Sequence, residues 1–229
     1  MTVKVLSTHA VEEVLRELVP GFEARNGMSL TIDYDPANVL RRRIEDGVSF
    51  DVAIVTRPVI DALAGLGKMI RDTCVDIGRS GLGIAVREGM AKPDITTPDA
   101  FKRTLLSAKS IVRSKDGTSG LYFETLLTRL GIFEAMHGKI IMGESGRIAE
   151  LVACGEAEMA IQQIPELLPV RGTDFVGPLP AELQLYTVFS AGVGVSASDR
   201  AAAKYFIDNL TSAGSSALFI AKGLEPVLH

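Results

Sequence analysis

Apolar and polar positions along this chain switch repeatedly between a two-residue rhythm and a helical one. Val3–Leu6 is a short apolar run; Val11, Leu15, Leu18 and Phe22 then recur at helical spacing until Asn26-Gly27 stops the helix. Leu30–Tyr34 alternates as a strand does, and Val39–Glu45 is helical up to Asp46-Gly47. Asp51–Val55 (DVAIV) is the continuous apolar run of a strand covered on both faces, followed by a short helix, Val59–Leu66. The alternation continues. Gly81–Val86 and Ser110–Arg113 read as strands, and Thr97-Pro98-Asp99 caps a helix that runs to Leu106. Leu121–Leu130 and Ile148–Ala153 are helices closed by Gly131 and Gly155; Met159–Gln162 and Leu185–Ser190 are strands. Between Asp199 and Gly223 lie two further helices separated by a short break.

Such alternation predicts an α/β fold with largely parallel sheets. The 229 residues suffice for two lobes of about 100 residues each. Gly81–Val86 and Leu185–Ser190 are the candidate strands crossing between them. Lobe 1 is then 1–80 plus 191–229, and lobe 2 is 81–190. Pro165–Pro180, the longest breaker-rich loop, is too short for a flexible interdomain linker.

Composition narrows the function. The net charge is −4 with no basic block, there is no Trp, and aromatics make up 6 %, which argues against nucleic acid and a membrane surface. No apolar run approaches the roughly 18 residues of a membrane span. The chain opens on strand material without the features of a signal peptide. Two locations follow as expectations: periplasmic if a leader was removed, otherwise cytoplasmic. Cys74 and Cys154 are expected as free thiols. His9, His137 and His229 share no ligand-like spacing with them or each other, so no metal is expected. No P-loop or dinucleotide fingerprint is present and no cofactor is expected; Gly78–Gly83 is glycine-rich but leads into a strand. There is no G-x-S-x-G elbow.

Strand-to-helix junctions carry the candidate chemistry. In parallel α/β sheets, ligands bind beyond the carboxyl ends of the strands, where helix N-termini present unpaired amides to an anion. Ser7-Thr8-His9-Ala10 offers two hydroxyls, able to cap the helix or hold an oxyanion, and a titratable imidazole. Asp35-Pro36-Ala37-Asn38 precedes a helix with Asn38 as a cap candidate. Ser114–Gly120 (SKDGTSG) combines glycines with Thr118 and Ser119 and is the most specific local signal, an anion nest. Glu144-Ser145-Gly146-Arg147 supplies a guanidinium, for a ligand carboxylate or for a salt bridge with Glu144 or Glu150. Arg57 follows the DVAIV strand, and Gln162-Gln163 follows the Met159–Ile161 strand.

The DVAIVT strand and turn, SGLGIAV, GTSGLYFETLLTRLG, RIAELVACGEAEMAI and the C-terminal helical pair together resemble the type 2 periplasmic solute-binding proteins, in their molybdate-binding-like branch. The resemblance spans essentially the whole chain. It implies two Rossmann-like lobes joined by two crossing strands, with a ligand cleft between them. It also implies a small anionic ligand, a monomer, and an ABC permease as partner. Carried over, the family's oxyanion-binding positions fall on Ala10, Asn38, Ser119, Gly146 and Gln163. The first is usually serine and the last tyrosine. Two hydroxyl donors are thus absent here, at about 1–3 kcal/mol each for a desolvated oxyanion. A small organic carboxylate is therefore favoured over molybdate, with His9, Arg57 and Arg147 as added partners.

Two function classes remain. One is a binding protein that closes over its ligand for ABC-type uptake. The other is an enzyme on the same scaffold, an isomerase of an unsaturated tricarboxylate such as aconitate, with His9 as the base. A ligand-sensing domain of a regulator is a third reading.

Overall fold

The computed structural model describes residues 2–227; Met1, Leu228 and His229 lie outside the described residues, and His229 with them leaves the metal reading. In chain order the strands are β1 (Thr2–Ser7), β2 (Ser29–Tyr34), β3 (Val52–Thr56), β4 (Val75–Ser80), β5 (Leu82–Arg87), β6 (Ile111–Ser114), β7 (Ile140–Gly143), β8 (Met159–Gln163), β9 (Thr173–Pro178), β10 (Thr187–Val193) and β11 (Glu225–Pro226). The helices are α1 (Glu12–Asn26), α2 (Ala37–Glu45), α3 (Arg57–Gly65), α4 (Pro98–Ser107), α5 (Thr118–Arg129), α6 (Phe133–Met136), α7 (Ile148–Ala153), α8 (Ile164–Leu167), α9 (Arg200–Leu210) and α10 (Ala213–Ala221).

The chain divides into two units, Met1–Ser80 with Thr187–His229, and Gly81–Tyr186. Unit 1 holds a six-stranded sheet in the order β11-β4-β10-β3-β1-β2; unit 2 holds a five-stranded sheet in the order β7-β6-β8-β5-β9. Both sheets are mixed, not largely parallel. In unit 1, β2, β1 and β3 run parallel and β10 joins them antiparallel. In unit 2, β7, β6 and β8 run parallel and β5 is antiparallel to β8 and β9.

The chain passes between units at Ser80-Gly81, where the segment Gly81–Val86 begins, and at Tyr186-Thr187, inside the segment Leu185–Ser190; β5 pairs within unit 2 and β10 within unit 1. The second boundary therefore falls at 187 and not 191. Pro165–Pro180 contains most of α8 and all of β9.

Period-two sorting explains the buried runs. In β3, Val52 and Ile54 enter one core with α1, α9 and α10, while Ala53 and Val55 enter a second core with α2 and α3. All five residues of β3 are buried because helices cover both faces. Unit 2 repeats this: Leu82, Ile84, Val86, Met159 and Ile161 face the helices α4 and α5, and the small Ala85 and Ala160 face the short α7 and α8. Among the described residues no helix is long and apolar enough to cross a membrane. Cys74 is half-buried and Cys154 exposed, and both are free thiols.

Candidate functional site

Each unit presents a row of three strand-to-helix junctions. In unit 1 the carboxyl ends of β2, β1 and β3 lie side by side, bringing together Asn38, the Thr8-His9-Ala10 segment and Arg57. In unit 2 the ends of β7, β6 and β8 bring together Gly146 and Arg147, Thr118 and Ser119, and Gln163. The two rows belong to different units.

The helices that start at these rows lack side-chain caps. None of α1, α2, α3, α5, α7 or α8 has a capping hydrogen bond from its N-cap residue. Outside the rows, α4 and α9 are capped, Thr97 accepting from the Ala100 amide at 3.2 Å and Asp199 from the Ala202 amide at 2.9 Å, whereas α6 and α10 are not. Helix starts left without caps leave amide donors and the positive dipole end for another acceptor.

Buried hydroxyls occupy the same places. Thr8 is 6 % exposed, precedes the short 3-10 turn His9–Val11, and makes no capping bond; its Oγ1 has no partner among the described residues. In unit 2, Ser114 Oγ and Ser145 Oγ are likewise buried without a partner among the described residues. Both border the bare α-carbon of Gly117, the N-cap of α5. A Cβ there would collide with Ser114 Oγ and lie 3.2 Å from Ser145 Oγ. A buried donor without an acceptor costs about 1–3 kcal/mol, so three of them beside uncapped helix starts suit an acceptor-rich ligand.

Arg113, whose place in an apolar strand gives no sign of a site, lies under the unit 2 row. It is 3 % exposed; Nη1 donates to the Ser114 carbonyl at 2.9 Å, Nη2 donates to Glu124, and Nε has no partner among the described residues. Gln162 donates from Nε2 to Glu166, while its buried Oε1 has no partner among the described residues.

Several sequence-derived residues take other roles. Asn38 is no N-cap: Pro36 occupies that position and Asn38 lies in the first turn of α2. Ala10 is buried in the core beneath α1, so it can offer a ligand only its backbone. Arg57 is held by its own unit, through Nε to Asp61 at 3.0 Å and Nη1 to Asp76 at 3.1 Å; these bonds raise its already high pKa. Arg147, largely exposed, pairs with Glu150 at 2.9 Å, which is the salt-bridge alternative read from the sequence. Thr118 begins α5, Ser119 is buried in its first turn, and Gly146 takes φ +84°, open to glycine at little cost. Gln163 is buried at the N-cap of α8.

His9 is the most constrained titratable group of the unit 1 row. Its Nδ1 lies 3.0 Å from Glu12 Oε2, and its ring stacks on Tyr34 with centroids 6.0 Å apart. The register Ser7↔Tyr34 between β1 and β2 makes this meeting possible. The His9 hydrogen bond holds the Glu12 carboxyl below its ordinary range; burial, with Glu12 adding, pushes the Tyr34 phenol up to about 12. Neither Glu12 nor Tyr34 stood out in the sequence. Among the described residues no group of His, Cys, Asp or Glu could hold a metal ion.

The sequence model of the bacterial extracellular solute-binding proteins matches residues 3–225. An aconitate isomerase from a Pseudomonas species is 32 % identical over 232 residues, covering 99 % of this chain and 88 % of that protein. The fold is shared with the periplasmic molybdate-binding protein of Azotobacter vinelandii, at TM-score 0.82 and 19 % identity over 99 % of both chains. It is also shared with the sulfate-binding protein SubI of Mycobacterium tuberculosis, at TM-score 0.80 and 17 % identity, over 99 % of this chain and 87 % of that one.

Proposed function

We propose that this chain, which belongs to the bacterial extracellular solute-binding protein family, binds a small organic carboxylate through neutral donors at the carboxyl ends of its parallel strands. The observation that carries the reading is the set of buried hydroxyls at Thr8, Ser114 and Ser145 beside helix starts without side-chain caps. Hydroxyl and amide donors favour an anion without the desolvation that a buried ion pair requires. Because Arg57 and Arg147 are engaged by carboxylates of their own units, we leave them out of the ligand shell. The proposed donors are Thr8 and His9 in unit 1 and Ser114, Ser119, Ser145 and Gln163 in unit 2, with the Ala10 and Asn38 junctions of the first and the Thr118 and Gly146 junctions of the second contributing backbone.

Ala10 and Gln163 stand where a tetrahedral oxyanion would want hydroxyls, which favours a carboxylate over molybdate or sulfate. The aconitate isomerase relative supports the same ligand class. In this reading the protein works as a monomer in the periplasm and delivers to an ATP-driven membrane permease. Titration calorimetry with trans-aconitate tests it. We expect saturable binding that weakens by about fivefold or more in Ser114→Ala; equal binding by that variant would refute the hydroxyl shell.

The His9–Glu12 pair favours a second reading, conversion of the ligand. Moving a double bond in an unsaturated tricarboxylate requires removal of a proton from the carbon next to one carboxylate and its return at the other end of the allylic system. An imidazole oriented by a carboxylate suits that step. Proton NMR of trans-aconitate in D2O separates the readings: deuterium entry and a cis product mean isomerisation, and an unchanged spectrum with line broadening means binding alone.

A further inference from the structure

We propose that unit 2 carries a second small-molecule site, at the end of its sheet opposite the junction row, for a monocarboxylate with a short aliphatic body. Lys109-Ser110 precede β6, Ala157-Glu158 precede β8, and Arg87 closes the antiparallel β5, whose Val86 pairs with Met159. These residues surround a hollow of about 270 Å³. The length of β8, five residues at about 3.3 Å each, separates them from the junction row.

The charges in this hollow are unbalanced. Among the described residues no carboxylate pairs with Arg87 or Lys109, and Arg87 Nη2 has only the Met90 sulfur at 3.9 Å. Glu158 keeps its negative charge while its Oε2 accepts from the Lys109 amide at 2.6 Å, so the hollow holds two cations against one carboxylate. Gly155, at φ +85°, lets the guanidinium lie 3.2 Å from where a Cβ would stand. One positive charge is therefore left over in a chain whose net charge is −4. A planar guanidinium beside an ammonium suits a carboxylate head.

A smaller hollow lies next door. At about 80 Å³, it shares Met90 and Glu158 with the first and is walled by Ala91, Pro93, Ala108 and Met159 together with Thr104 and Ser107, whose hydroxyls already donate to the carbonyls of Asp94 and Thr104. A few methylenes fit there; a ring or a long chain does not. Met90, half-exposed and flexible, forms the common wall.

The test uses the full chain labelled with 13C at its methionine methyl groups, the Met90 signal being assigned with Met90→Leu, and titrated with butyrate. The site predicts a saturable Met90 shift, weakened at least tenfold in Arg87→Ala and in Lys109→Ala, retained in Ser114→Ala, and absent with butylamine. No saturable shift, the same shift in Arg87→Ala, loss in Ser114→Ala, or an equal response to butylamine would each overturn it. Arg87 and Lys109 are exposed, so both variants should remain folded.

Discussion

Gly120 packs its bare α-carbon against the carbonyl oxygen of Ser114, so tightly that a Cβ there would collide with backbone. This contact brings the first turn of α5 down onto the end of β6 and puts its uncapped amides beside the Ser114 and Ser145 hydroxyls. A short hydrophobic strand, a glycine-rich turn and a helix thereby bring two buried hydroxyls and an uncapped helix start together.

Gly120→Ala should lower stability by about 1–3 kcal/mol, because the clash is with backbone and cannot be relieved by a rotamer change. Gly65→Ala is the matching control. No atom lies within 4 Å of its added methyl, and φ there is not positive. It should be neutral or gain up to about 1 kcal/mol. Urea unfolding of the two variants checks both.

Ser114→Ala and Ser145→Ala should separate stability from binding. Each removes a buried hydroxyl without a partner among the described residues, so the ligand-free protein should keep or slightly raise its melting temperature. Carboxylate affinity should fall by about 1–3 kcal/mol for each. Calorimetry of both transitions would expose a purely structural role as a stability loss with affinity unchanged.

Arg57→Gln should leave ligand affinity unaltered. Its guanidinium joins α3 to Asp76 of β4, and Ser190 Oγ of β10 donates to the same Asp76 oxygen at 2.6 Å. Since the arginine is partly exposed, the stability loss should stay near 0.2–1 kcal/mol. A tenfold loss of affinity with unchanged stability would return Arg57 to the ligand shell.

The Glu12 carboxyl is held below its ordinary 4.5, first by the His9 hydrogen bond. A lowered folded-state pKa contributes stability above the unfolded value, and that contribution is lost as pH falls through the folded one. The advantage of the wild type over Glu12→Gln should therefore be full at pH 6 and shrink below about pH 4.5. Melting curves at stepped pH test this; a gap that widens on acidification would contradict it.

Much of the fold is legible in local pattern. DVAIV reads as a strand covered on both faces, and β3 is one, with α2 and α3 on one side and α1 on the other. β7 (IIMG) is too short for any period to register, and β9 hides among glycine and proline. The antiparallel direction of β5 and β10 is set by long-range pairing with β8 and β3, which no local rhythm encodes. The site divides the same way. Junctions are legible because glycines and hydroxyls follow apolar runs. The capture of Arg57 by Asp76 and the stacking of His9 on Tyr34 depend on sheet order and register, so the sequence leaves both arginines open as ligand partners.

A thermal-shift series with trans-aconitate, cis-aconitate, citrate, molybdate and sulfate separates an organic carboxylate from a tetrahedral oxyanion as the ligand. A cognate ligand at about 100 times its dissociation constant adds roughly 2.7 kcal/mol of stability. A carboxylate shell of neutral donors gives a clear rise in melting temperature with at least one of the tricarboxylates and none with molybdate or sulfate. A rise with molybdate or sulfate alone would contradict it and make the protein a carrier of tetrahedral oxyanions.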